Sequence, residues 1–91
     1  MEDVNKRISE TVRTVRGALG QSETKVAKGM GMSHGALNSK IVNRVQWKVE
    51  DLAKLAKFWN CEVIDLLQGP LHALNAVIGK APRQRDRASA A

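Results

Sequence analysis

The stretch SETKVAKGMGMSHGALNSKI, residues 22–41, decides the fold of this chain. Ser22 and Ser33 are of the residue type that caps helix N-termini, and each precedes a run with apolar residues at helical spacing. Gly31 lies between the two runs and can adopt the left-handed backbone that ends a helix. The stretch therefore predicts a helix, a short turn and a second helix.

The side chains inside this stretch suit two helices that cross at close range. Ala27 is small and stands on the first helix, where the backbones must approach each other. Leu37 and Val26 are placed to fill the wedge between the helices. Gly29 weakens the last turn of the first helix, because glycine is a poor helix former. Together these residues predict a helix-turn-helix.

Apolar residues at steps of three and four predict more helices on both sides of this unit. The first covers residues 3–19, between a capping Asp3 and Gly20. Two further helices are predicted over residues 49–59 and 62–68. A last short helix begins at Pro70 and ends at Gly79, and the segment after it is rich in Pro, Arg and Ala. No segment alternates with the period of a strand.

The sequence thus predicts an all-α fold in three parts. They are a compact five-helix domain over residues 1–69, a short C-terminal helix over 70–79 and a disordered basic tail over 80–91. The whole chain has 91 residues, of which 43% are hydrophobic and 26% charged, as is ordinary for one small globular domain. Fifteen Lys and Arg against nine Asp and Glu give a net charge of +6. This balance favours a polyanionic partner such as nucleic acid or an anionic membrane.

Other classes of protein are disfavoured by what the sequence lacks. The single cysteine, Cys61, allows no internal disulfide. No apolar run follows Met1, and no stretch approaches the about 18 apolar residues that span a bilayer. The two histidines, His34 and His72, have no zinc-ligand spacing to each other or to Cys61. We expect a cytoplasmic protein that is not an enzyme, with no metal, cofactor, membrane or small-molecule substrate.

The chain resembles the Cro/C1-type (XRE-like) helix-turn-helix DNA-binding domains of phage and bacterial repressors. The matching stretches are residues 21–41, 47–56 and 62–67, and the resemblance covers roughly residues 4–68. It implies a lambda-repressor-like fold and sequence-specific binding to double-stranded DNA by a small transcriptional regulator of the phage repressor or Cro-like type. The chain departs from the family at Glu23, where the family often has a Gln that braces the recognition helix or contacts phosphate. A carboxylate there would repel phosphate, so the resemblance does not carry the phosphate contact over to Glu23. The chain departs again at Lys40, where an apolar residue is often found.

Positive charge concentrates around the second helix of the motif, which is the expected recognition helix over about residues 33–42. Residues 22–48 contain five Lys and Arg against one acidic residue, whereas residues 49–69 contain two against four. Base edges would be read from outward positions, where Asn38 can bond adenine and His34 a purine N7. The predicted base contacts are His34, Gly35, Asn38 and Ser39. The predicted phosphate contacts are Ser22, Lys25, Lys28, Lys40, Asn43, Arg44 and Lys48.

The helix over residues 70–79 leaves alternatives open. Its apolar residues could form a homodimer interface, which would place two recognition helices about 34 Å apart on successive major grooves. The residues predicted for that interface are Leu71, Leu74, Val77 and Ile78. They could equally pack back onto their own chain. A different class of function is a protein-interaction module, such as an antitoxin that uses this segment and the tail to bind a partner. The lysines also have an ordinary interpretation as a solubilising surface.

Overall fold

The computed structural model describes residues 3–79, and within that range it contains helices and turns but no strand. The first five helices are α1 (Val4–Leu19), α2 (Glu23–Met30), α3 (His34–Ile41), α4 (Val49–Trp59) and α5 (Val63–Leu67). A sixth, α6, covers residues 70–79. The all-α prediction is confirmed for this part of the chain, whereas the basic tail predicted over 80–91 lies outside the described residues.

The helix ends follow the predicted capping residues. Side-chain oxygens of Asp3, Ser22 and Ser33 accept backbone N–H bonds of 2.9, 3.1 and 3.1 Å at the starts of α1, α2 and α3. Gly20 and Gly31 end α1 and α2 with φ of 70° and 75°, in the left-handed region. The bonds to Asp3, Ser22 and Ser33 satisfy N–H groups that the start of a helix leaves without a partner in the helix itself.

The helices surround one aliphatic core. α1 packs against α3 and α5, and α2 packs against α3 and α4. The side chains that are fully enclosed include Val12, Val15, Val26, Leu37, Leu55 and Leu66. Each such residue stabilises the fold by about 1.5–3 kcal/mol relative to an exposed position. Leu37 therefore anchors α3, the recognition helix predicted from the sequence, in the core that it shares with the other helices.

Gly29 has a packing reason that the sequence did not reveal. A β carbon at this position would overlap the ring of Phe58 in α4. The absence of a side chain thus allows α2 and α4 to approach closely at this point. Gly29 costs helix stability, as its sequence context suggests, but it is required by the contact between these two helices.

α6 divides its apolar residues between the core and the surface. Ala73 is fully buried, and Leu74 and Val77 are half-buried against the core. Leu71 and Ile78 are 76% and 54% exposed. Leu74 and Val77 thus pack partly on their own chain, which is the alternative to self-association, whereas Leu71 and Ile78 are the members of the predicted dimer set that point outward.

Candidate nucleic-acid interface

α2 and α3 form a helix-turn-helix with a three-residue turn over residues 31–33. Ala27 and Leu37 are both buried where the two helices meet. The N–H of Met32 donates to the carbonyl of Ala27 over 3.0 Å, which closes the end of α2 around Gly31. The sequence-based prediction of helix, turn and helix in this stretch is confirmed.

The outward surface of α3 contains the four residues predicted to contact bases. His34 and Gly35 are exposed, and Asn38 and Ser39 are half-buried at the edge of the same surface. Leu37, Lys40 and Ile41 lie on the opposite, buried side. An α-helix with one polar, accessible side and one side fixed in a core is the arrangement that allows side chains to enter a DNA groove.

A carboxylate from α2 holds two of these residues. Glu23 Oε1 lies 3.0 Å from His34 Nε2 and 3.3 Å from Asn38 Nδ2. Its other oxygen, Oε2, is 4.0 Å from Arg16 Nη2 at the end of α1. The resemblance gave the residue at this position two roles in the family, bracing the recognition helix or contacting phosphate, and the charge of Glu23 opposes the second. In the folded chain, its carboxylate is engaged by two donors from α3 and faces a guanidinium.

Lys40 is not a surface residue, which contradicts its assignment as a phosphate contact. It is only 8% exposed. Its ammonium lies 2.9 Å from Asp51 Oδ2 in α4 and 3.3 Å from the carbonyl oxygen of Gln46. The reason is helix geometry, because Lys40 follows Leu37 by three residues and so shares its inward side. Lys40 therefore lies outside the candidate interface.

Asp51 is the partner that makes this burial tolerable. Burial raises the pKa of Asp51, but the Lys40 hydrogen bond, the backbone N–H of Lys48 and the nearby lysine charges outweigh it, so the pKa lies below its ordinary value. The N–H of Lys48 donates to Asp51 Oδ2 over 2.8 Å at the start of α4. One carboxylate thereby ties the end of α3 to the beginning of α4.

α1 holds the C-terminal end of α3 from another side. The Ser9 hydroxyl lies 3.0 Å from the carbonyl oxygen of Lys40 and 3.0 Å from Asn43 Oδ1. Trp47 is buried and donates from Nε1 to Ser9 Oγ over 3.0 Å. Arg13 Nη2 donates to the carbonyl of Ile41 over 3.3 Å. Ser9 and Arg13 thereby reach the carbonyls of Lys40 and Ile41, which belong to the group that a helix C-terminus leaves without partners in the helix.

The remaining predicted phosphate contacts are all exposed. They are Ser22, Lys25, Lys28, Asn43, Arg44 and Lys48. Two of them also have local structural roles: Ser22 caps α2, and Asn43 adopts a left-handed φ of 66° with its Oδ1 3.0 Å from Ser9 Oγ. Four of these exposed residues are cations, two in α2 and two that follow α3 in the sequence. We call this group, Lys25, Lys28, Arg44 and Lys48, the basic rim.

Sequence reasoning missed Ser9 as a residue that positions α3, and it did not identify the contacts of Glu23 with His34 and Asn38. Both act over long sequence separations, 15 residues from Glu23 to Asn38 and 31 from Ser9 to Lys40. The available signal for Glu23 was the family resemblance, in which the first residue of this helix braces the recognition helix. Ser9 gave no such signal, because a serine on the inner side of an amphipathic helix is commonplace.

Elsewhere in residues 3–79, His72 Nε2 lies 2.9 Å from Asp65 Oδ1, which ties α6 to α5. No helix within this range is long and apolar enough to cross a membrane. No family model matches the chain, and no curated protein or solved structure matches it.

Proposed function

We propose that this chain binds double-stranded DNA sequence-specifically as a small transcriptional regulator. Its fold would be of the lambda-repressor-like type, and its family the Cro/C1-type helix-turn-helix proteins that the sequence resembles. A phage-type repressor in the cytoplasm of a bacterium or an infected host cell is the form of this function that we favour. α3 would enter the major groove, and the basic rim would contact phosphates on both sides of it.

The observation that carries the proposal is the contrast between the two sides of α3. Its inner side is buried in the core, and polar bonds hold the helix near both of its ends. Its outer side presents His34, Asn38 and Ser39, whose side chains can donate and accept hydrogen bonds. A major groove accommodates one α-helix, and base edges there display donors and acceptors that such side chains can distinguish.

Gly35, on the outer side of α3, also supports the proposal that this side contacts DNA. A β carbon at Gly35 would meet nothing within 4 Å, so the fold itself does not require glycine there. Glycine within a helix costs about 1 kcal/mol relative to alanine. A bare backbone on the outer surface of α3 is explained if a base edge or a thymine methyl group approaches it closely.

The test is selection of bound sequences from a pool of random duplexes at two salt concentrations. The proposal predicts an enriched motif that survives at the higher salt, since base contacts persist while phosphate contacts weaken. An inverted repeat would indicate a dimer, and one short half-site a monomer. Weak, salt-sensitive retention with no motif would contradict sequence-specific binding.

One observation favours a second candidate function. The exposed side chains of Leu71 and Ile78 are apolar and lie seven residues apart, on one side of α6. Such a pair suits contact with a protein, either a second copy of this chain or a partner that an antitoxin-like module would bind. Sedimentation of the chain alone separates these cases, because self-association increases with concentration and partner binding needs a second protein.

A further inference from the structure

The segment over residues 43–48, which follows α3, carries an inference that rests on the proposed DNA-binding function and deepens it. The N–H of Arg44 donates to the carbonyl of Ser39 in α3 over 2.8 Å. The N–H of Trp47 donates to Asn5 Oδ1 in α1 over 2.7 Å. The segment thus has a fixed course between two helices, although every side chain in it except that of Trp47 is exposed.

Trp47 begins a chain of hydrogen bonds that ends at the Asn43 amide. Its Nε1 donates to Ser9 Oγ over 3.0 Å. The same hydroxyl lies 3.0 Å from Asn43 Oδ1 and 3.0 Å from the carbonyl oxygen of Lys40. An indole can only donate and a carbonyl oxygen can only accept, whereas a hydroxyl does both. Ser9 therefore accepts from Trp47 and directs its own hydrogen toward the two oxygens.

The direction of this chain decides which end of the Asn43 amide is offered to a ligand. Because Oδ1 is turned toward Ser9, Nδ2 lies on the other branch of the planar amide and directs its two N–H donors away from Ser9. A DNA phosphate presents oxygens that accept such donors. We propose that Ser9 and Trp47 are positioning residues, which orient the Asn43 amide nitrogen for a phosphate beside α3 without contacting DNA themselves.

The backbone of Asn43 adds to this control. Its φ of 66° lies in the left-handed region, which asparagine enters more readily than most residues. Its N–H donates to the carbonyl of Lys40 over 3.1 Å. The Nδ2 hydrogens are therefore the donors that Asn43 can offer a phosphate. Such a contact is independent of sequence, and because the amide is neutral it releases no counterion.

The experiment measures affinity for the selected duplex and for a random duplex of equal length at several salt concentrations. Ser9→Ala removes the hydroxyl that orients Asn43, so both duplexes should bind about tenfold more weakly. The slope of log affinity against log salt should stay the same. A loss confined to the selected duplex would mean that Ser9 acts through base contacts, and a slope lower by about 0.9 that it acts through a cation. Either result overturns the inference, as does unchanged affinity.

Three further variants separate positioning from a general loss of stability. Thr11→Val removes another buried hydroxyl of α1, which is bonded within that helix to the carbonyl of Arg7, and it should leave affinity unchanged. Trp47→Phe keeps an aromatic ring without the donor and should weaken binding to both duplexes. Asn43→Gly keeps the left-handed backbone without the amide. Adding Ser9→Ala to Asn43→Gly should cause no further loss, and additive losses overturn the inference.

A second measurement needs no DNA. Hydrogen exchange with water, followed by NMR on the full chain, should be fast at Asn43 Nδ2 and slow at Trp47 Nε1. Ser9→Ala should speed exchange at the Trp47 indole but not at that of Trp59, which is bonded to Gln21 Oε1 over 2.8 Å. Slow exchange at Asn43 Nδ2 overturns the inference and leaves the proposed function standing. Failure to find any preferred DNA sequence overturns the proposed function and the inference with it.

Discussion

α3 and α6 are both short surface helices, but the fold holds them in different ways. α3 is bound by polar groups at both ends, with Glu23 near its start and the Lys40–Asp51 pair near its end. α6 is packed mainly through Ala73, Leu74 and Val77. Hydrogen bonds are directional, so they fix the rotation of a helix about its axis, whereas apolar contacts are not directional and fix that rotation less closely. A helix that reads base edges needs its rotation fixed by hydrogen bonds, whereas apolar packing is enough for a helix that makes an adaptable contact with a protein.

The largest effect is expected from a substitution that breaks the polar attachment of α3. Lys40→Met leaves Asp51 buried without its cation, so we expect a loss of about 3–5 kcal/mol in the free energy of unfolding, measured by urea denaturation. Lys28→Met is the matched control in α2, where the side chain is exposed, and it should change stability by less than about 0.5 kcal/mol. Equal effects of the two substitutions would contradict the structural role of Lys40.

The same pair predicts a pH dependence with a definite sign. The pKa of Asp51 is lowered from its ordinary value of 3.8 in the folded chain. Its contribution to stability is therefore fully present above that ordinary value and is lost as the pH falls through the lowered pKa. Lys40→Met should lie closer to the wild type in strong acid than near neutrality, since protonated Asp51 no longer needs a cation. If the difference in unfolding free energy between the wild type and Lys40→Met widens on acidification, this account is contradicted.

The next effect separates base reading from phosphate contact at the outer surface of α3. Asn38→Ala should cost about 1–3 kcal/mol of binding free energy on the preferred duplex and relax one base position. Arg44→Ala should weaken binding on all duplexes alike and lower the slope of log affinity against log salt by about 0.9. Titrations on specific and random duplexes at several salt concentrations measure both. Loss of affinity on all duplexes alike in Asn38→Ala would remove that residue from the readers.

A smaller effect tests why glycine stands on the outer side of α3. Gly35→Ala should stabilise the fold by about 0.5–1 kcal/mol, because nothing opposes the new methyl group and alanine favours a helix. It should also weaken specific DNA binding. Gly17→Ala in α1 is the control, since it is equally open and lies outside the candidate interface. It should gain similar stability with unchanged affinity. If Gly35→Ala also leaves the affinity unchanged, a close approach of a base edge or thymine methyl group to Gly35 is contradicted.

The smallest effect on stability is expected at α6. Leu71→Glu and Ile78→Glu change exposed positions, so each should shift the free energy of unfolding by no more than about 0.5 kcal/mol. If α6 mediates self-association, these variants should sediment as monomers where the wild type forms dimers. A wild-type chain that is monomeric at all concentrations would assign this surface to another partner or to none.

Local sequence patterns predicted much of this fold and less of its site. Capping serines, the left-handed Gly31 and the apolar repeats each act within a few residues, so they could be identified without the structure. Lys40 was wrongly predicted as a phosphate contact, although its spacing to Leu37 places it on the inward side of α3, and its Asp51 partner comes from another helix. The Glu23 contacts with His34 and Asn38 likewise depend on how two helices pack. The division of α6 into buried and exposed apolar residues depends on the neighbouring core in the same way.

The most direct test of the central claim is a titration of the ¹⁵N-labelled chain with the selected duplex, with amide shifts followed residue by residue. A random duplex of equal length provides the control. We predict saturable shifts concentrated in α3 and in residues 43–48 with the selected duplex, and weaker, rapidly exchanging ones with the control. Shifts that are larger in α6 than in α3, or that are the same with both duplexes, would contradict the claim that the outer surface of α3 reads DNA.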